Sequence, residues 1–311
     1  MSLEHPYAAV VRNVGNVRKQ TASDRNGPIR AVEFNAAGGA KVEEIARRLS
    51  LPPLKDASII LLCEADWRTP RSRRREVAPE LASRLGMNMA YLPEFSRSSG
   101  GANNRICMGN AILSSAPLED VRAIPMPDPQ PEKADRLRHG WTGGFAGLAA
   151  RARFGGGSIW IGVMHLHSRC APAGRAAQMA AFVNGFPKEG PAIIGGDLNS
   201  TTAELMRPAS FARVFATMLV TPWRFKSPQR YEPMFERIAG AGFEIEGANA
   251  LGRPTFTFSR AIPALFRPRL DWIALRGARA AAGSAQVVAA RGSFAARRFS
   301  DHDFITVAIE I

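Results

Sequence analysis

The sequence predicts an α/β protein built as a layered sandwich, with two β-sheets inside and helices outside. Three observations carry that prediction: eleven short apolar runs suited to strands, amphipathic helical patterns set between them, and strands that are apolar on both faces. A strand without a polar face has to be covered by another layer on each side. Several of the eleven candidates are of this kind, and eleven strands are enough for two sheets.

The elements follow in order. Residues 1–28 are polar and aperiodic and are expected to run irregularly over the surface. The first strand candidate is 29–35, followed by a helical face in which Val42, Ile45, Ala46 and Leu49 fall at i, i+3, i+4 and i+7. Strand 58–64 contains Ile59-Ile60-Leu61-Leu62, apolar on both faces, and Val77, Leu81 and Leu85 line a second helix. Strands 89–95, 107–114, 145–154 and 158–165 come next, the last one holding Ile159-Trp160-Ile161-Gly162-Val163. Ala176, Met179, Ala180 and Val183 mark a third helix, and strands 192–199, 255–258, 270–275, 285–290 and 304–311 complete the set. Segments 125–144, 224–230 and 260–268 carry Pro, Gly and Arg and read as long rim loops, where substrates are commonly selected.

Composition narrows the function classes. With 311 residues, 46% hydrophobic and 22% charged, the chain has the apolar content for a core and is not a disordered segment. No fixed-period repeat and no linker interrupts it. The apolar run 57–63 is far short of the ~20 residues of a membrane-spanning helix. The N-terminus carries Glu4, His5, Arg12 and Arg18 with no apolar stretch behind them, so a signal peptide is not expected and a cytoplasmic location is. Cys63, Cys107 and Cys170 are odd in number and widely spaced, which argues against a disulfide framework or a cysteine zinc site. The net charge is +14, from 41 Lys+Arg against 27 Asp+Glu, and 35 of the 41 are arginine. An Arg-biased composition and a surface for a polyanion both account for it.

The chemistry is signalled by polar residues at strand ends: Asn35, Glu64, His165, Asp197 with Asn199, Asp271, and the pair Asp301-His302. Each alone is ordinarily a turn or cap residue. Together, at the ends of apolar strands that can converge, they predict one cleft. Residues two apart in extended backbone face the same side, so Asp197 with Asn199, and His165 with His167, are expected to aim together. Gly195-Gly196 before them lets another backbone or a phosphate approach closely. Asn35, Glu64 and Asp301 are oxygen donors of the kind Mg²⁺ prefers. Histidine and asparagine can neutralise charge on a phosphoryl group while a carboxylate orients or deprotonates water. The inventory fits a phosphoester hydrolase.

The ordered series Asn35 in EFNAAGG, Glu64 in LLCEAD, GNAILSS at 109–115, His165 in MHLHS, GGDLNS at 195–200, LDWIAL at 270–275 and SDHD at 300–303 resembles the endonuclease/exonuclease/phosphatase superfamily. The resemblance spans roughly residues 29–311, which it makes a single catalytic domain after the 1–28 segment. It implies a four-layer α/β sandwich with two central, mostly antiparallel sheets and a site at one end of them. By motif position it implies Glu64 as the main metal ligand, with Asn35 and Asp301 near the metal or its waters, and Mg²⁺ or Mn²⁺ as the ion. It implies that Asp197 orients or deprotonates the attacking water, that Asn199 and His165 hold the scissile phosphate, and that His302, paired with Asp271, stabilises the transition state. His165 is similar to the deoxyribonuclease I, sphingomyelinase, inositol-phosphatase and tyrosyl-DNA phosphodiesterase branches and differs from abasic-site endonucleases. The chain departs from the family in having Cys63 where Gln usually precedes the metal-site Glu. It also has Phe34 as the aromatic before the Asn, and neither change removes a ligand.

For the substrate, nucleic acid is the first expectation, on the net charge and the basic clusters Arg71-Arg73-Arg74-Arg75 and Arg297-Arg298. A solvated face accounts equally for the first cluster. The alternative is a phospholipid head group or inositol phosphate, for which Trp223, Phe225, Leu265 and Phe266 could dip into a membrane surface or else anchor their loops. Arg105, Asn110, His167 and Arg298 are the candidate substrate contacts; for Arg105 and Asn110 an ordinary loop role competes equally, and for His167 the competing reading is a surface histidine at a strand end. A catalytically silent binding module would require a lost metal or phosphate residue, and none is lost. A zinc site from His165, His167 and His302 is set aside because Glu64 and Asp301 supply hard oxygens.

Overall fold

Runs that the sequence makes apolar on both faces become interior strands of two stacked sheets. The structure, a computed structural model, describes residues 9–13, 27–98, 105–129, 140–155, 157–204, 216–217, 220–257, 263–291 and 298–311. Along the chain come β1 (Val10–Arg12), β2 (Ile29–Gly38), α1 (Val42–Leu49), β3 (Ile59–Trp67), α2 (Val77–Leu85), β4 (Asn88–Ser98), β5 (Arg105–Ser114) and β6 (Glu119–Pro125). Then follow β7 (Thr142–Gly143), β8 (Ala146–Phe154), β9 (Gly157–Val163), α3 (Pro172–Gly185), β10 (Ala192–Asp197), α4 (Trp223–Lys226) and α5 (Met234–Gly240). The chain closes with β11 (Asp271–Arg276), β12 (Arg279–Ala280), β13 (Gln286–Val288) and β14 (Phe304–Glu310).

The larger sheet has the order β1-β4-β5-β3-β2-β14-β12, with β13 on β14 and β7 on β4; the smaller runs β11-β10-β9-β8-β6. Among the described residues only β2 with β3 and β9 with β10 pair in parallel. A parallel pair needs a crossover, and α1 and α3 are those crossovers. The remaining pairs are antiparallel, as expected.

Three apolar seams join four layers. Between the sheets, Ala31, Leu61 and Ile112 meet Leu148, Ile161 and Ile193. Outside the larger sheet, Val42, Ile45 and Leu49 of α1 and Val77 and Leu81 of α2 cover Val32, Ile60 and Leu62. Outside the smaller sheet, Met179 and Phe182 of α3 with Phe235 and Ile238 of α5 cover Ile194 and Trp272. Helices this short are marginal alone. Burial of each large apolar side chain, at about 2 kcal/mol, is what holds them.

The differences from expectation are local. Val10–Arg12 forms a strand on β4 inside the stretch expected to be irregular. Strand β6 was not expected because Glu119, Asp120 and Arg122 break its apolar pattern, which an edge position tolerates. In place of a strand over 255–258 there is an isolated bridge between Phe256 and His302; residue 258 lies outside the described residues. The segment expected as a loop over 224–230 carries α4 and a 3₁₀ turn at Pro228–Arg230. Among the described residues no helix is long and apolar enough to cross a membrane.

Candidate active site

The two parallel pairs run side by side, so the C-terminal ends of β2, β3, β9 and β10 deliver Asn35, Glu64, His165 and Asp197 to one edge of the sandwich. Antiparallel β11 and β14 begin at that edge. Asp271 pairs directly with Asp197 in the β10–β11 register, and His302 precedes β14. The convergence read from strand ends is therefore a consequence of strand direction.

Local backbone irregularity aims the side chains. Both β2 and β3 bulge where they would otherwise continue, between Asn35 and Gly38 and between Leu62 and Ala65. Within these bulges Ala37 and Glu64 both take φ +49. A non-glycine residue there is strained, and the bulge turns the Glu64 carboxylate out of the ladder. Asn199 also has a positive φ, +48. Gly196 explains the Gly195-Gly196 pair: a Cβ there would lie 1.9 Å from the Met164 carbonyl oxygen, so the close approach is that of backbone.

Asp197 is the hub. Its Oδ2 accepts from Asn35 Nδ2 at 2.9 Å and lies 3.7 Å from His165 Nε2 and 3.6 Å from His302 Nε2. Its Oδ1 accepts the Asn199 N–H at 2.9 Å. The Asn35 amide also donates to Glu64 Oε1 at 3.3 Å, while its Oδ1 accepts the Ala37 N–H at 2.9 Å. That last bond fixes the amide orientation, so Asn35 binds the two carboxylates together. The His302 Nδ1 lies 2.9 Å from both oxygens of Asp271, and its ring meets Phe256 edge-on at 4.9 Å. Ser300 ties the last loop down, donating to the Asn35 carbonyl at 2.8 Å and accepting the His302 N–H at 3.0 Å.

The electrostatics follow from burial among acids. Burial opposes a charge on His302, but Asp271 and Asp197 outweigh it and push the imidazole up to about 10. Burial likewise opposes the His165 charge, and Asp197, Glu64 and Glu94 overcome it. Burial raises Asp197, with His302 pulling the other way. For Glu64 burial is outweighed by His165 and Arg71, which leave its carboxyl below the ordinary value. Asp197, Asp271 and His302 offer ligand atoms within 4.8 Å of one another, a group that could hold a metal ion.

Asp301 is exposed, with Ser300 Oγ 3.5 Å from its Oδ1. The candidate substrate contacts fare differently. Arg298 donates to the Ser300 carbonyl and to Asp303 and so braces its own loop; Arg297 lies outside the described residues. Arg105 donates to Ser96 Oγ at 2.6 Å, at the start of β5, on the edge where β3 ends. Asn110 is fully buried beside Glu94. His167 is 3% exposed, and its Nδ1 accepts the N–H groups of Arg169 and Cys170. It is neither a surface histidine nor a companion of His165, because β9 stops at Val163 and the two-residue alternation does not reach it. Cys63 fills the space between the sheets, with the Asp197 N–H 3.5 Å from its sulfur.

Two neighbours of the site were not anticipated as parts of it. Glu94, 1% exposed, stands with Oε2 4.0 Å from His165 Nδ1, and burial pushes it up to about 7. Its signal was a lone carboxylate inside an apolar strand. Arg71, read only as one member of a basic cluster, donates to Glu64 Oε2 at 3.2 Å.

The Endonuclease/Exonuclease/phosphatase family model matches residues 32–302. No curated protein matches the sequence. Among solved structures, an endonuclease/exonuclease/phosphatase from Beutenbergia cavernae is similar at 16% identity and TM-score 0.56, covering 92% of this chain and 72% of that one. D. rerio TDP2 complexed with a single-strand DNA product is similar at 16% identity and TM-score 0.53, with 91% and 99% covered. The human Nocturnin catalytic domain with a bound sulfate anion follows at 16% identity and TM-score 0.54, with 97% and 96% covered.

Proposed function

The chain belongs to the endonuclease/exonuclease/phosphatase family of phosphoester-hydrolysing enzymes, and on that premise we propose that it is a divalent-metal-dependent phosphodiesterase acting on nucleic acid. The observation that carries the proposal is the constellation around Asp197: one carboxylate shared by His165, His302 and Asn35, with Glu64 next in line.

Glu64 and Asp301 are hard carboxylate donors that suit Mg²⁺ or Mn²⁺, and the Glu64 side chain keeps 23% of its surface exposed, while Asn35, its Oδ1 committed to the Ala37 N–H, orients Glu64 through its amide N–H. Such an ion, when bound, neutralises charge on phosphoryl oxygens. The Asp197–Asp271–His302 group suits an ion less well, since His302 Nδ1 is already committed to Asp271. In our assignment Asp197 orients the attacking water or takes its proton. His302, kept cationic by Asp271, sets positive charge against the phosphoryl oxygens, and His165 and Asn199 hold the scissile phosphate. Glu94 positions His165. The attack and departure at phosphorus then occur among groups whose charges are already in place.

Nucleic acid is favoured by the net charge of +14. A lipid head group is the second reading, supported by exposed Trp223 and Leu265, at 56% and 46%, on the adjacent α4 and 264–266 turn; Phe225 is buried and anchors its helix. Hydrolysis of single-stranded DNA, RNA, phosphoinositides and sphingomyelin under Mg²⁺ tests the choice. The expected result is nuclease activity that a chelator removes and that Glu64→Gln lowers at least ~100-fold, roughly 3 kcal/mol of transition-state stabilisation. Turnover of lipid alone at every salt concentration would replace the nucleic-acid reading. Unchanged turnover in Glu64→Gln at saturating Mg²⁺ would remove the metal assignment.

A further inference from the structure

The loop between β3 and α2 carries five arginines, and they go separate ways. Arg68 pairs with Glu76, and Arg75 with Glu43 and Glu80, all away from the site. Arg73 and Arg74 are exposed, with φ +57 and +58. Arg71 turns back to the cleft.

It does so on a built foundation. Asp66, wholly buried, accepts from Arg71 Nε and Nη2, each at 2.8 Å. The Thr69 hydroxyl also donates to Asp66 and lies 3.0 Å from Ser72 Oγ, and both of these residues are buried. Gly38 of β2 closes the other side. A Cβ there would come within 2.9 Å of Arg71 Nε and 3.0 Å of Asp66 Oδ2, and its φ is +84. The guanidinium is thus held in a fixed plane, with Nη2 also donating to Glu64 at 3.2 Å. A guanidinium has five N–H groups. Three are spent on Asp66 and Glu64, and the Nη1 pair has no acceptor among the described residues, while the side chain stays 51% exposed.

We infer that Arg71 grips a second phosphate of the substrate, next to the one being hydrolysed. Glu64 faces Asn35 with Oε1 and Arg71 with Oε2, so it separates the guanidinium from Asp197 and the two histidines. A phosphate held at the histidines is therefore not the one that Nη1 meets. With Nε and Nη2 fixed on Asp66 and Glu64, both Nη1 N–H groups are left to meet phosphate oxygens, whereas the single nitrogen of an ammonium here would be divided between those carboxylates and the phosphate. The ligand chemistry is phosphates in series, as in a polynucleotide or a polyphosphorylated inositol; a lone phosphodiester lacks it. This inference rests on the phosphodiesterase reading of the same site.

The test has a binding arm and a turnover arm. In EDTA, fluorescence anisotropy of a labelled single-stranded oligonucleotide is followed against salt for the wild type, Arg71→Ala, Arg71→Lys and Arg73→Ala. Arg71→Ala is expected to weaken binding about tenfold and to reduce the slope of log Kd on log salt by about 0.7, one single-strand phosphate contact. Arg71→Lys should recover little of either, and Arg73→Ala should bind as the wild type does. Under Mg²⁺, Arg71→Ala should raise KM for the oligonucleotide or an inositol polyphosphate at least tenfold more than for bis(p-nitrophenyl) phosphate. Which of the two is affected identifies the source of the second phosphate. Unchanged affinity, slope and KM ratio, with only a lower melting temperature, would make Arg71 a loop staple and overturn the inference, as would failure of the wild type to bind any polyphosphorylated probe. If the wild type binds the oligonucleotide but hydrolyses nothing, the phosphodiesterase reading falls and the binding arm still decides Arg71.

Discussion

A histidine set between two buried aspartates is a cation by construction, and that sets the pH behaviour of the site. His302 is raised well above its ordinary range, to about 10, so its charge is present through neutrality and is lost as pH rises through that value. Asp197 is raised by burial and must lose its proton to serve the water. The kcat/KM profile should therefore rise from acid pH as Asp197 ionises and fall on an alkaline limb near pH 10. Asp271→Asn removes the largest interaction that favours the cation, so the alkaline limb should move down by roughly 1–3 pH units, measured on a small phosphodiester. An unmoved limb would separate His302 from catalysis. Glu94 gives a second residue-level expectation: Glu94→Gln keeps the shape and removes the charge facing His165, and should lower turnover roughly 10–100-fold, with the thermal midpoint measured alongside to separate function from folding. The principal candidates were legible because they stand where apolar strands end. Glu94 and Arg71 were not, because their partners, His165 and Glu64, lie far away in sequence or are reached only by a specific loop turn.

At the scale of elements, the loop after Asp197 is held by a buried ion pair. Arg175 of α3 and Glu232, before α5, are both fully buried and joined at 2.6 Å. Arg175 also donates to the Cys170 carbonyl at 2.6 Å, and Glu232 accepts the Thr202 N–H at 2.6 Å. The pair links two helices to the segment that follows Asn199. Removing one partner strands the other charge in a dry interior, so Arg175→Met should cost about 3–5 kcal/mol in urea denaturation, and the double replacement Arg175→Met/Glu232→Met should cost less than either single one. Equal losses in the single and double variants would mean that no uncompensated charge is involved. Such a pair leaves no periodic trace, whereas α1, α2 and α3 do, because each buries one stripe. Strand β6 shows the opposite limit: an edge strand needs no apolar alternation, so its pattern is silent.

At the scale of the molecule, the +14 charge resolves into local facts. Arg298 braces its own loop, Arg68 and Arg75 pair with carboxylates, and Arg71 stands at the cleft. The charge outside such contacts acts at a distance, and its expected signature is kinetic: kcat/KM for an oligonucleotide should fall steeply between 50 and 200 mM salt, as roughly expected for several phosphate contacts, while a small diester should be little affected. Parallel salt profiles for the two substrates would make the charge a matter of composition. Local pattern by itself determined the two-sheet class, the three main helices and the polar strand ends, because a period of 2 or 3.6 and a run buried on both faces are properties of neighbouring residues. The tertiary structure alone decided which end of each strand meets which. The parallel crossovers through α1 and α3 set strand direction, and direction places Asp197 against His165, His302 and Asn35 and leaves His167 in a loop of its own.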